Sequence, residues 1–150
     1  MTALSAEGIS VELPPGWEGA IGPESTREDG SVRNVVAHFA SFPLPMRRGD
    51  FGGGAVDLMG PTDAFITLFD YGRPSAGTAL FATEGPPGVL DAGHFDRSVL
   101  QKPLPLQSGV QRFFTAGGRA MCLYVVVGSH IDRADVLPAI NQFLSSLTIR

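Results

Sequence analysis

Apolar and polar residues alternate with period two over Ile9, Val11 and Leu13, with Ser10 and Glu12 between them. That alternation predicts a half-buried strand, halted by Pro14-Pro15-Gly16 and followed directly by Trp17. Ala20 to Glu24 predicts a short second strand, and Ser25 to Ser31 reads as a polar loop. Arg33 to Phe42 predicts a longer strand closed by Pro43 and Pro45. Ala64 to Tyr71 predicts another, with Phe65, Thr67 and Phe69 on one face and Ile66, Leu68 and Asp70 on the other.

Two further runs, Val110 to Ala116 and Arg119 to Val127, flank Gly117-Gly118. Paired glycines supply the positive φ angles of a two-residue hairpin turn. The resulting register sets Phe114 opposite Met121 and Phe113 opposite Cys122. The period then changes to that of a helix. Val136, Leu137, Ile140, Phe143, Leu144 and Leu147 form one buried face, and Asn141, Gln142, Ser145 and Ser146 form the wet one. Asp135 is the expected N-cap, which places Pro138 in the first turn, where its missing N–H costs little. The intervening stretches are less patterned. Gly49 to Gly60 predicts a tightly turned connection holding one helical turn over Ala55 to Met59, and short helices are expected over Ser75 to Ala82 and Phe95 to Leu100.

Many short strands, one amphipathic C-terminal helix and frequent Gly and Pro imply an α+β fold, a mostly antiparallel β-sheet flanked by helices. The chain has 150 residues, 43% of them hydrophobic, and no linker long enough to divide it, so residues 1–150 read as a single domain. A chain of this length buries about 70% of its unfolded surface, enough for a core without metal or disulfide. Cys122 is the only cysteine and has no internal partner.

Charge changes the functional picture. With 11 basic against 15 acidic residues, net −4, and Arg47-Arg48 as the one adjacent basic pair, the chain lacks the basic surface that nucleic acid requires. No apolar run approaches the roughly 20 residues that span a bilayer. The N-terminal stretch has neither a basic nor an apolar leader region, so a cytoplasmic location is expected.

Candidate chemistry is sparse. His38, His94 and His130 share no metal-ligand spacing. Cys122 sits mid-strand between Met121 and Leu123, which predicts a buried, inert thiol. Gly52-Gly53-Gly54 lacks the Lys-Ser/Thr ending of a phosphate loop, and Asp57 stands where a dinucleotide fingerprint needs its third glycine. Asp63 is expected to cap a turn after Gly60-Pro61, and Asp70 to bond loop amides or face solvent. No catalytic, cofactor-binding or metal-binding residue is assigned, and no cofactor is expected.

The aromatic residues are the remaining signal: Trp17, ten Phe and two Tyr. Trp17, Phe42 and Phe51 flank Pro/Gly breaks and fit a core least well, which makes them the candidate partner-binding residues.

The opening strand ending Leu13-Pro14-Pro15-Gly16-Trp17, the strand Asn34 to Phe42, the hairpin and the terminal helix ending in Phe143 to Ile149 together resemble the PsbP-like superfamily. That group includes the photosystem II extrinsic P subunit and a Ran-binding nuclear import factor. The stretch Gly49 to Gly72 is similar to an uncharacterised actinobacterial branch. The resemblance implies an antiparallel sheet flanked by helices, and binding rather than catalysis; it transfers no site residue. The expected function is a non-enzymatic, adaptor or chaperone-like domain that binds a protein partner or itself as a homodimer. An alternative is a domain holding a small apolar ligand near Trp17, Phe42 and Phe51. A third reading assembles a hydrolase or metal site from His94, Asp96 and His130.

Overall fold

A computed structural model describes residues 1–22 and 34–150. Strand β1 (Thr2–Ala6) turns back through Glu7-Gly8, at φ +53° and +77°, into β2 (Ile9–Leu13). Their antiparallel register runs from Thr2 opposite Leu13 to Ala6 opposite Ile9. Pro14-Pro15-Gly16-Trp17 then carries the chain into a second sheet, with Trp17 N–H closing a turn onto the Pro14 carbonyl at 3.1 Å.

That second sheet contains β3 (Glu18–Ile21), β4 (Val36–Ala40), β5 (Ala64–Gly72), β6 (Ser108–Ala116) and β7 (Arg119–Val127), in the spatial order β3-β4-β5-β7-β6. All its pairings are antiparallel. Helix α2 (Arg133–Ser146) follows, and a two-residue β8 (Thr148–Ile149) returns to pair with β2 in the smaller sheet β1-β2-β8. The α+β class, with its mostly antiparallel sheets and C-terminal helix, is therefore as expected.

The larger sheet has two covered faces, which explains why every residue of β7 is buried. Its inner face presents Ile66, Leu68, Leu123 and Val125 to a core completed by β2 and by Ile140, Phe143 and Leu144 of α2. The outer face presents Ala40, Phe65, Tyr124 and Val126 to the loop around Phe42 and Phe51 and the four-residue helix α1 (Gly53–Val56). Buried apolar area drives both contacts at about 25 cal/mol per Å².

Several elements differ from the sequence expectation. The hairpin partner β1 had no counterpart there. Strand β3 begins two residues earlier than expected, at Glu18, and β4 is confined to Val36–Ala40 within the expected Arg33 to Phe42, while residues 23–33, which include the end of the expected second strand, the Ser25 to Ser31 loop and Arg33, lie outside the described residues. Ser75 to Ala82 holds only a 3-10 turn at Ala79–Phe81, and Phe95 to Leu100 only one at Arg97–Val99. The reason for the second is topological. Phe95 packs into the inner core and Leu100 against the outer one, so this segment crosses the sheet edge and cannot continue as a helix.

Helix α2 begins one turn earlier than predicted, with Asp132 at the N-cap and Asp135 inside the first turn. Pro138 is therefore an interior residue, facing the Ala134 carbonyl with no N–H to give it. Leu137 is half-buried, while the other five predicted apolar positions are buried.

Candidate functional site

The structure divides the three candidate aromatics between two faces. Trp17 lies on the inner side, stacked on Phe143 at 5.9 Å between ring centroids. Phe42 and Phe51 lie on the outer side. Phe42 is buried near Phe65, and half-buried Phe51 stacks almost flat on Phe69 at 5.3 Å, with Tyr124 edge-on at 5.9 Å. The sheet thus separates Trp17 from the other two, and no single apolar ligand can touch all three. None of the three lies within a strand: Trp17 sits in the turn before β3, and Phe42 and Phe51 in the connection between β4 and β5, which packs on the opposite side of the sheet.

Phe51 instead begins an aromatic row that sequence reasoning missed. From Phe69 the row passes to Tyr71 at 4.7 Å, to Phe81 at 5.4 Å and to Phe113 at 5.7 Å. Tyr71 is the extra residue of a β-bulge between Asp70 and Gly72 and is 37% exposed. Phe113 is half-buried on β6, an edge strand. The signal was present in the spacing Phe65, Thr67, Phe69, Tyr71 on one face, but Phe81 joins from a loop with no periodicity of its own.

The edge of β6 is clamped at both ends. Gly109 exchanges two main-chain bonds with Asp96, at 2.9 and 3.0 Å, and Thr115 bonds Thr83 and Gly85, at 2.8 Å each. Strand alternation turns the main chain of Gln111 and Phe113 the same way. The Gln111 carbonyl accepts from Arg112 Nη1 at 3.0 Å. Among the described residues, the Gln111 N–H and both main-chain groups of Phe113 have no partner.

His38 anchors the Gly49–Gly60 loop from below. Arg48 Nε donates to His38 Nδ1 at 2.9 Å, which leaves Nε2 carrying the proton, donated to the Asp50 carbonyl at 2.8 Å. Burial, with Arg48 beside it, lowers the His38 pKa despite the opposing bond to Asp50. The Arg48-Gly49-Asp50 tripeptide is thereby a structural tie. Gly52 has φ +76°, and a Cβ there would collide with the Phe65 ring, so the glycine run is the tight connection expected.

A third node sits where the two sheets meet. Arg119 Nε and Nη2 both donate to Asp70 Oδ2, at 3.0 and 2.7 Å, while Nη1 donates to the main-chain oxygens of Glu7 and Arg150. Asp70 Oδ1 accepts from Gly72 N at 2.7 Å, so the expected loop-amide bond is present beside an unforeseen buried ion pair. This node borders a cavity of about 540 Å³.

His94, Asp96 and His130 serve separate local bonds. His94 Nδ1 accepts from Asp91 N, Asp96 Oδ1 accepts from Ser98 N and Oγ, and His130 Nδ1 meets Ser108 Oγ at 2.8 Å. Burial, together with nearby Arg133 and Arg97, lowers the His130 pKa, with Asp96 pulling the other way. Among the described residues, no three His, Cys, Asp or Glu side chains are grouped to hold a metal ion. Asp63 caps its turn as expected, accepting from Gly60 N at 2.8 Å. Cys122 is buried opposite Phe113, and burial pushes its thiol up to about 11 despite a contact with Gln111.

Comparison with known proteins returned no match, whether to family models, to curated proteins or to solved structures. No helix among the described residues is long and apolar enough to cross a membrane.

Proposed function

We propose that this chain is a non-enzymatic, adaptor or chaperone-like binding domain that takes an extended segment of a protein partner along the open middle of β6. One observation carries the reading. Phe113 offers a half-exposed ring at the end of an aromatic row, beside main-chain groups that lack partners among the described residues. An incoming strand satisfies those groups and seats an apolar side chain against Phe113 and Tyr71, the mode of β-strand addition. Aromatic side chains of this kind carry a large share of binding energy at protein interfaces. The clamps at Gly109 and Thr115 limit the added segment to a few residues, which suits a short linear motif.

The proposal places the domain in the cytoplasm and in a PsbP-like arrangement. The antiparallel sheet, the Pro-Pro-Gly-Trp crossing and the terminal helix support that kinship, and the acidic net charge argues against nucleic acid as the partner.

The test is affinity capture from the native host's extract with wild type and with Phe113→Ser and Tyr71→Ser, each first shown to fold. A partner near equimolar with wild type, lost with both variants, and protecting the Gln111 and Phe113 amides from exchange supports the reading. A partner retained by both variants, or protection elsewhere, overturns it. Recovery of the protein alone also overturns it, unless sedimentation shows a dimer that Phe113→Ser dissociates, which makes the partner a second copy.

A further inference from the structure

The open stretch of β6 is short, and its middle residue is charged. Gly109 and Thr115 are already bonded to Asp96 and to Thr83 and Gly85, so between them only Gln111 and Phe113 turn main-chain groups outward. Arg112 lies between those two. Its alternate neighbours Val110 and Phe114 belong to the inner core, and it stands opposite Leu123, so its side chain leaves β6 on the inner side. The guanidinium then bends back to the edge, where Nη1 donates to the Gln111 carbonyl at 3.0 Å. Among the described residues, half-buried Arg112 has no carboxylate partner.

This placement decides which strand can add, beginning with a second copy of the chain. Two β6 edges meeting antiparallel across a two-fold axis use both open residues of each copy in one register alone. It sets Gln111 opposite Phe113 and Phe113 opposite Gln111, so Arg112 faces its own counterpart. That position is a non-hydrogen-bonded pair, where side chains approach most closely and Cα atoms are about 4.5 Å apart. Like charges directly opposite one another destabilise the pairing, and a charge on an edge strand guards against edge-to-edge association. Slipping by two residues brings Gly109 or Thr115, both already bonded, into the ladder. A foreign strand has no such symmetry. Its N–H takes the Gln111 carbonyl from Nη1, and the guanidinium released there meets whatever side chain stands opposite. Asp96 and Glu84 mark the two clamps, one at each end, so a run of acids meets like charge at both. A single central carboxylate meets Arg112.

Resting on the strand-addition reading of this edge, we infer that its occupant is a foreign extended segment carrying one Asp or Glu opposite Arg112, with an apolar side chain next to it in sequence, and that a second copy of the chain is refused. Successive residues of a strand point to opposite faces. The carboxylate therefore reaches Arg112 on the inner side while the apolar neighbour seats on Phe113 on the outer side.

The experiment is an amide NMR titration of the full chain with blocked five-residue peptides. Each has threonine at both ends and phenylalanine on either side of a central glutamate, glutamine or lysine, so the pattern reads the same in both chain directions. The glutamate peptide is expected to shift the Gln111 and Phe113 amides. It is also expected to bind about fivefold more tightly than the glutamine peptide, despite the chain's net charge of −4, with a preference that added salt reduces. Arg112→Gln abolishes the preference, Arg112→Lys keeps it, and Arg112→Glu transfers it to the lysine peptide. Binding at those amides that does not favour glutamate, a preference that Arg112→Gln retains, or a wild-type dimer that protects those amides overturns this inference and leaves strand addition standing. Binding of none of the peptides, or shifts confined to other amides, overturns strand addition and this inference with it.

Discussion

Arg119 and Asp70 meet through two hydrogen bonds on one carboxylate oxygen, Oδ2, with both side chains about nine-tenths removed from solvent. The same guanidinium reaches the carbonyls of Glu7 and Arg150, so one side chain ties β5, the first hairpin and the last strand together. Removing one partner strands a buried charge. Asp70→Asn or Arg119→Met is expected to cost about 3–5 kcal/mol in urea unfolding. The double variant Asp70→Leu with Arg119→Met is expected to lose less than the two single losses added together, because no charge is then left unpaired.

His38 makes stability depend on pH. Its folded pKa lies below the ordinary 6.5, so the native imidazole refuses a proton that the unfolded chain accepts. Stability is therefore full above about 6.5, declines as pH falls below it, and levels off once pH passes beneath the folded pKa. Protonation of Nδ1 also ends its role as acceptor and sets two cations, His38 and Arg48, side by side. Unfolding curves between neutral and mildly acidic pH are expected to show a slope that His38→Gln reduces.

Cys122 is expected to resist thiol reagents while the protein is folded. Raising the thiol from 9.0 to about 11 cuts the thiolate near neutral pH by roughly a hundredfold, and burial removes access as well. The rate of modification by a disulfide reagent, compared with and without denaturant, reads this directly.

Pro138→Ala is expected to stabilise the protein by about 1–3 kcal/mol, because an interior helical proline gives up a main-chain bond and crowds the carbonyl four residues back. The side chain is exposed, so little packing is lost. A thermal midpoint that stays put or falls assigns Pro138 a role other than helix geometry.

Much of the fold was legible in the sequence wherever a single periodicity ruled. The β6–β7 register, with Phe114 opposite Met121 and Phe113 opposite Cys122, follows from two adjacent glycines. Strand β5 and the apolar face of α2 follow from their repeats. The strand β1 escaped because Thr2 to Ala6 is small and partly exposed, and its partner lies across a turn where Glu7, not Asn or Asp, takes a positive φ. The segment between 75 and 107 escaped for another reason. It crosses from one core to the other at the sheet edge, so its apolar residues answer to neither period. The Arg119–Asp70 node was invisible because its four contact points, at 7, 70, 119 and 150, are brought together only by the completed fold.

The pairing of β8 with β2 has a kinetic consequence. The Glu12 amide donates to Ser146 Oγ across 134 residues of chain, and Ile9 lies opposite Ile149. During synthesis the smaller sheet cannot close until its last strand has left the ribosome, whereas the β6–β7 hairpin needs only its own two-residue turn. Loops of that length must be closed before their contacts contribute, which slows folding. The first hairpin therefore waits with the β2 edge bare until every intervening element has been made.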